Sequence, residues 1–91
     1  MSSGNIVYIG RKPVMNYCMA VMTSFDSSDG RVALKARGNN ISKAVDVAEI
    51  TRNRFMEDLS VDSIEIGTDE LESDEGGTKN VSRISIMLKR E

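Results

Sequence analysis

The chain has 91 residues, with 12 Lys/Arg, 14 Asp/Glu and no histidine, and its formal net charge is −2. That length predicts a single domain to which a second copy would add useful burial, and the missing histidine removes the commonest general base and the usual ligand of catalytic zinc. We therefore identify no catalytic residue, no metal ligand and no cofactor. No apolar run could span a bilayer and the start lacks a secretory pattern, so we expect a cytoplasmic protein.

The first third of the chain predicts a strand followed by a helix. Residues 1–4 resemble a flexible tail, and residues 5–91 a single domain. The apolar run 6–9 is closed by Gly10, which predicts a short strand buried on both faces. Pro13 suits the first turn of a helix because its missing N–H needs no partner there. The apolar residues at helical spacing are Val14, Cys18, Val21, Met22 and Phe25, and the only cysteine is expected to be a buried thiol.

The middle of the chain predicts a second strand and a second helix. Between Arg31 and Arg37 apolar and basic residues alternate, as in a strand with one buried face. The inward set is Val32, Leu34 and Ala36, and the outward set is Arg31, Lys35 and Arg37. After a turn, Asn40 is the expected N-cap of a helix. Its expected core stripe comprises Ile41, Ala44, Val45, Val47, Ala48 and Phe55.

The last third predicts a hairpin. Residues 61–71 and 81–89 alternate as strands, and the polar segment 72–79 with its two glycines forms the expected tip. The acidic residues 69–75 do not supply oxygen ligands at alternate positions, so a calcium loop is rejected in favour of a solvated tip. The resulting order, β-α-β-α-β-β, predicts an α+β fold.

Two basic turns indicate the class of partner. Residues 10–13 and 35–38 each follow a strand and precede a helix, so both are expected at one edge of the sandwich. Residues 1–56 contain eight Lys/Arg against four Asp/Glu, whereas residues 57–91 contain four against ten. A cationic patch on an acidic chain favours a polyanionic partner, and nucleic acid is the obvious candidate.

The same residues carry a family resemblance. The segment 5–17, NIVYIGRKPVMNY, resembles the amino-terminal signature of the Alba family of archaeal chromatin proteins. Segments 35–38, 41–46 and 52–55 are similar to its second signature, and the likeness extends over residues 5–90. It implies a two-layer α/β sandwich: a four-stranded mixed sheet packed against two helices, with the last two strands forming a protruding hairpin.

The resemblance also implies a homodimer that binds double-stranded DNA, and RNA as an alternative, with little sequence preference. Basic loops would contact phosphates, and the hairpin arms would reach toward the minor groove. The candidate contacts are Arg11, Lys12, Arg37, Gly38, Asn39, Asn40, Lys43, Lys79 and Arg83. Phe55 matches the position through which neighbouring dimers touch on DNA, and Lys12 is the candidate acetylation site. The acidic arm residues, Glu70, Glu72, Asp74 and Glu75, are expected to weaken binding.

Several alternatives remain open at the level of sequence. Lys43 can pair with Asp46 instead of phosphate, and Arg52 and Arg54 can stabilise the C-terminal end of their helix. The whole protein can be a component of a ribonucleoprotein particle. It can also be a protein-interaction module whose acidic hairpin docks on a basic partner. An enzyme is the least favoured reading. Ser42 as a nucleophile would need Lys43 as its base, and adjacent residues on a helix point apart.

Overall fold

The computed structural model describes residues 5–90, and the predicted order of elements is confirmed. The elements are β1 (Ile6–Tyr8), α1 (Val14–Asp26), β2 (Arg31–Arg37), α2 (Ile41–Ile50), β3 (Leu59–Glu72) and β4 (Thr78–Arg90). A 3₁₀ turn, Gly38–Asn40, precedes α2, and a π-helical turn, Thr51–Phe55, follows it. The predicted tail, residues 1–4, lies outside the described residues, as does Glu91.

The four strands form one mixed sheet in the order β1-β2-β4-β3. Strands β1 and β2 are parallel, whereas β4 is antiparallel to both β2 and β3. Pairing between β2 and β4 ends at Arg37 and Arg83, but β3 and β4 continue to pair as far as Glu72 and Thr78. Residues 68–82 therefore form a two-stranded arm beyond the body. This arm contributes to a longest dimension of 46 Å.

Both helices pack on one face of the sheet. Cys18 and Val21 of α1, Val47 of α2 and Leu34 and Leu88 of the sheet are completely buried between the layers. This confirms the buried thiol and the inward set predicted for β2. The opposite face of the sheet, termed the open face below, carries the alternate residues of each strand, because successive side chains of a strand point to opposite sides.

Three predictions about these elements are wrong. Tyr8 is 70% exposed, because helices cover only one face of β1. Val45 and Phe55 are both 43% exposed. Val45 lies on a flank of α2 that no further helix covers among the described residues. The π-helical turn that ends at Phe55 inserts an extra residue, which rotates Phe55 off the stripe. Asn40 makes no side-chain cap, because its backbone is already helical in the 3₁₀ turn.

Candidate nucleic-acid interface

The first basic loop, residues 9–13 between β1 and α1 and termed loop 1, is held in place from two sides. The Tyr17 hydroxyl accepts hydrogen bonds from the backbone N–H of Gly10 at 2.9 Å and of Lys12 at 3.0 Å. The Lys43 ammonium donates to the carbonyl oxygens of the same two residues, at 2.8 and 3.0 Å. The loop backbone is thus fixed by its neighbours, while the side chains of Arg11 and Lys12 are exposed.

Lys43 takes a role that neither sequence-based alternative anticipated. Its Nζ atom lies between two carbonyl oxygens of loop 1 and 5.9 Å from the centre of the Tyr17 ring. Its charge therefore joins α2 to loop 1 and does not pair with Asp46, and the phosphate contact of Lys43 stays a prediction. Its distance along the chain from loop 1, more than 30 residues, explains why no local pattern revealed this contact.

The second basic loop, termed loop 2 below, consists of Arg37 at the end of β2 and the 3₁₀ turn Gly38–Asn40, and it lies at the same edge of the sheet as loop 1. Since β1 and β2 are parallel and in register from Ile6 and Ala33 onward, their carboxyl ends emerge side by side. The predicted proximity of the two loops is therefore confirmed. Arg37, Gly38 and Asn39 are exposed, whereas Asn40 is half-buried. Gly38 has a φ of 55°, a conformation that other residues rarely adopt.

Two of the predicted contacts already bind a carboxylate of the chain. Asp69 of the arm accepts from Nε of Arg37 at 2.8 Å and from Nη1 of Arg83 at 2.6 Å, one bond to each carboxylate oxygen. The hydrogen bond from Arg83, followed by the bond and charge of Arg37, holds the pKa of Asp69 below its ordinary value. We term this arrangement the Asp69 clamp. It leaves Arg11 and Lys12 as the basic side chains of the loops outside the clamp.

Gly67 makes the clamp possible. The Arg83 guanidinium lies so close to this residue that a Cβ atom there would come within 2.6 Å of Cζ and Nη2 of Arg83. Sequence reasoning missed both Gly67 and Asp69. The arginines that Asp69 joins are 32 and 14 residues away from it, so no spacing within the chain reveals them as partners.

The remaining arm residues lie away from the loops. Lys79 pairs across the arm with Leu71 and is exposed. It lies four residues beyond Arg83 on β4, which places it about 13 Å farther out along the strand. The exposed carboxylates Glu70, Glu72, Asp74 and Glu75 surround the outer arm. The structure therefore brings together the residues of the two loops and Arg83, but not Lys79.

The open face contains a groove next to the loops. Its volume is 620 Å³, and it is lined by Tyr8, Lys35, Arg37, Asn40, Glu65 and Arg83, among others. Sequence reasoning missed Tyr8 as a surface residue. Val7 and Ile9 point inward, so Tyr8 between them points outward, but the continuous apolar run 6–9 does not show in the sequence which face of the strand is uncovered. Within residues 5–90, no cluster of Cys, Asp and Glu could hold a metal ion, and neither helix is long and apolar enough to cross a membrane.

Comparison with known proteins agrees with this architecture. The Alba family model matches residues 5–68. The chain is 52% identical to DNA/RNA-binding protein Alba 1 of Archaeoglobus fulgidus, over 96% of this chain and 97% of that protein. It is 49% identical to DNA/RNA-binding protein Alba of Methanocella arvoryzae, over 99% and 94%. The solved structure of Alba from Thermoplasma volcanium superposes with a TM-score of 0.88 at 48% identity, over 94% and 100%. The chain belongs to the Alba family.

Proposed function

We propose that this chain is a non-enzymatic nucleic-acid-binding protein that binds DNA, and RNA duplexes as well, with little sequence preference. The observation that carries the proposal is the pair of basic loops at one edge of the sheet, with Arg11 and Lys12 exposed on a rigidly held backbone. Guanidinium and ammonium groups recognise phosphate, which every nucleotide has, so such contacts carry no sequence information. The names of the relatives, DNA/RNA-binding protein Alba, support the same reading.

The acting unit in this proposal is a homodimer. Val61, Ile64 and Ile66 of β3 are 37%, 56% and 80% exposed, although they pair across the sheet with Leu88, Ile86 and Ile84, which belong to or pack against the core. The apolar layer thus continues beyond the helices onto an open edge strand. Val45 of α2, on the flank opposite Lys43, is a further exposed apolar side chain, at 43%. A long apolar edge strand is a site of association, and pairing with a second copy would cover it.

The arms and Phe55 complete the proposed complex. Each arm would extend from the dimer toward the minor groove, with its carboxylates and the Asp69 clamp lowering the affinity by repelling or competing with phosphate. Phe55, 43% exposed at the end of the π-helical turn, would contact the next dimer along DNA. Lys12 is exposed and would lose its charge on acetylation. A protein of this kind would be associated with the chromosome.

The test is the salt dependence of binding to duplex DNA. If each subunit makes two to four phosphate contacts, depending on whether nucleic acid displaces Asp69 from Arg37 and Arg83, log K against log salt should have a slope between about −4 and −7. The double substitution Arg11→Ala/Lys12→Ala removes two contacts from each subunit, and the slope should then become shallower by about 4. Fluorescence anisotropy with labelled duplexes of two unrelated sequences measures both the slope and the sequence preference.

The matched control is Lys89→Ala/Arg90→Ala. It removes the same charge at the opposite end of the sheet, where the backbone N–H of Arg90 bonds to Gly30 and its side chain pairs with Asp58. This control should keep most of the slope. A wild-type slope close to zero, or equal losses in both double variants, would contradict the proposal and favour a protein-interaction module. Competition with duplex RNA in the same assay ranks the two nucleic acids.

A further inference from the structure

The open face presents an aromatic ring that the proposed phosphate contacts leave unused. Tyr8 is the second most exposed of the large apolar and aromatic side chains in the described chain, at 70%. It lies in one cross-strand row with Lys35, Ser85 and Glu65, since these residues are register partners on β1, β2, β4 and β3. The ring is therefore flanked by a cation on the neighbouring strand and stands on a rigid sheet.

Around this ring the sheet surface is concave rather than flat. The groove of 620 Å³ that Tyr8 lines adjoins a second one of 360 Å³, and the two share Lys35, Glu65 and Ser85. Together they form a trough across the open face. The volume of the first groove falls within the usual range of small-molecule sites, so the groove is large enough to hold a nucleotide.

The charges around the ring favour an anion. Three cationic side chains, Lys35, Arg37 and Arg83, line the first groove against two carboxylates, Glu65 and Asp69. Asp69 is bound by both arginines, and its hydrogen bonds to them have the geometry that a phosphate would reproduce. A phosphate that enters the groove can therefore displace Asp69 from the guanidinium of Arg37, which is more than half exposed.

We propose that this trough binds an unpaired segment of nucleic acid, with one base stacked on Tyr8 and the adjoining phosphate bound by Lys35 and Arg37. The proposal rests on the proposed function and adds a second substrate class to it. An aromatic ring can stack only on a base whose face is free, and bases inside a duplex are already stacked on both faces. Loop 1 begins directly after Tyr8, so a strand leaving the trough meets Arg11 and Lys12 next.

The experiment compares single strands with duplexes in three proteins. Oligo(dT) and oligo(rU) of about 15 nucleotides, which is within the site size of known single-strand binders, are titrated into wild type, Tyr8→Ala and Tyr8→Phe. Tyr8→Ala should weaken single-strand binding by roughly five- to a hundredfold, the effect of losing one stacked base, and leave duplex binding unchanged. Tyr8→Phe keeps the ring and should retain the wild-type affinity.

A second readout reports stacking directly. The chain has two tyrosines and no tryptophan, and Tyr17 is buried. Stacking on Tyr8 should therefore quench the tyrosine fluorescence of wild type, and this quenching should disappear in Tyr8→Phe although that variant still binds. Because Tyr8 is exposed, its replacement should leave the fold intact, and circular dichroism of each variant checks this.

The outcomes separate this proposal from the function on which it rests. Two results would overturn the proposal for the trough and leave the proposed function standing. One is an equal single-strand affinity in wild type and Tyr8→Ala, and the other is salt-dependent duplex binding without single-strand binding. Absence of binding to every nucleic acid would overturn both. A parallel loss of single-strand and duplex affinity in Tyr8→Ala would also contradict the trough, because it would assign Tyr8 to the duplex surface.

Discussion

Asp69 is the residue that most changes the expected chemistry of the surface. Its carboxylate occupies Arg37 and Arg83, two of the side chains predicted to contact phosphate, with one oxygen for each guanidinium. An anion of the chain thus takes the place that a phosphate oxygen would take. Because the carboxylate is part of the arm, its local concentration is fixed by the fold, and nucleic acid must compete with it for both arginines.

The first prediction concerns the removal of this competitor. Asp69→Asn keeps the size of the side chain and removes its charge, so Arg37 and Arg83 become available to phosphate. Duplex affinity should rise, and the salt slope should steepen by about two to four for a dimer because up to two contacts are added per subunit. Asp62→Asn, which removes the same charge from a pair with Arg31 at 3.4 Å, is the matched control. Equal gains in duplex affinity in both variants would mean that the change in net charge, and not the release of Arg37 and Arg83, raises the affinity.

The lowered pKa of Asp69 gives the same substitution a pH signature. A carboxyl whose pKa is lower in the folded state than its ordinary value of 3.8 stabilises the fold above that pH and loses the contribution as the pH falls through the lowered pKa. The difference in unfolding free energy between wild type and Asp69→Asn should therefore be constant from neutral pH to about pH 5 and change only in stronger acid. Urea titrations across this range measure it, and a difference that varies near pH 7 would contradict the assignment.

At the scale of elements, local periodicity predicted which face of each strand or helix is buried, because that face depends on the sequence of the element alone. The alternation of Val32, Leu34 and Ala36 and the spacing of Cys18 and Val21 fixed which faces are buried. Periodicity could not predict which faces remain uncovered, because that depends on neighbours distant in sequence. The errors at Tyr8 and Val45 are of this kind, whereas Phe55 is rotated off the stripe by the π-helical turn. The Asp69 clamp, which joins three strands, escaped prediction because its partners are distant in sequence.

Two glycines next to the interface serve different needs, and this yields a paired prediction. Gly38 has a left-handed backbone, so Gly38→Ala should lower the free energy of unfolding by roughly 1–2 kcal/mol. Gly67 instead leaves room for the Arg83 guanidinium, which is the mobile end of its side chain and can move aside. Gly67→Ala should cost little stability but release Arg83 from Asp69 and raise duplex affinity. Urea unfolding and anisotropy on both variants check this, and a large loss of stability in Gly67→Ala would contradict it.

At the scale of the whole molecule, the uncovered apolar edge predicts the oligomeric state. Ile66→Lys would place an ammonium group in the proposed dimer interface, where it would lack water and a partner, so the dimer dissociation constant should rise by roughly a hundredfold or more. Analytical ultracentrifugation measures this. Met19→Lys, a similar change at a 61% exposed position on the outer side of α1, should leave the dimer intact. A stable dimer in Ile66→Lys would move the interface to another surface.

The single thiol, Cys18, is a built-in probe of local opening of the core. The chain has one cysteine, it is fully buried, and its Sγ lies 3.9 Å from the Val47 carbonyl oxygen on the facing helix. A maleimide dye can therefore reach it only when the two helices part, and the labelling rate measures the frequency of that opening without any engineered probe. Slower labelling in the presence of DNA would reveal that a ligand held at the rim of the sheet tightens the interior as well.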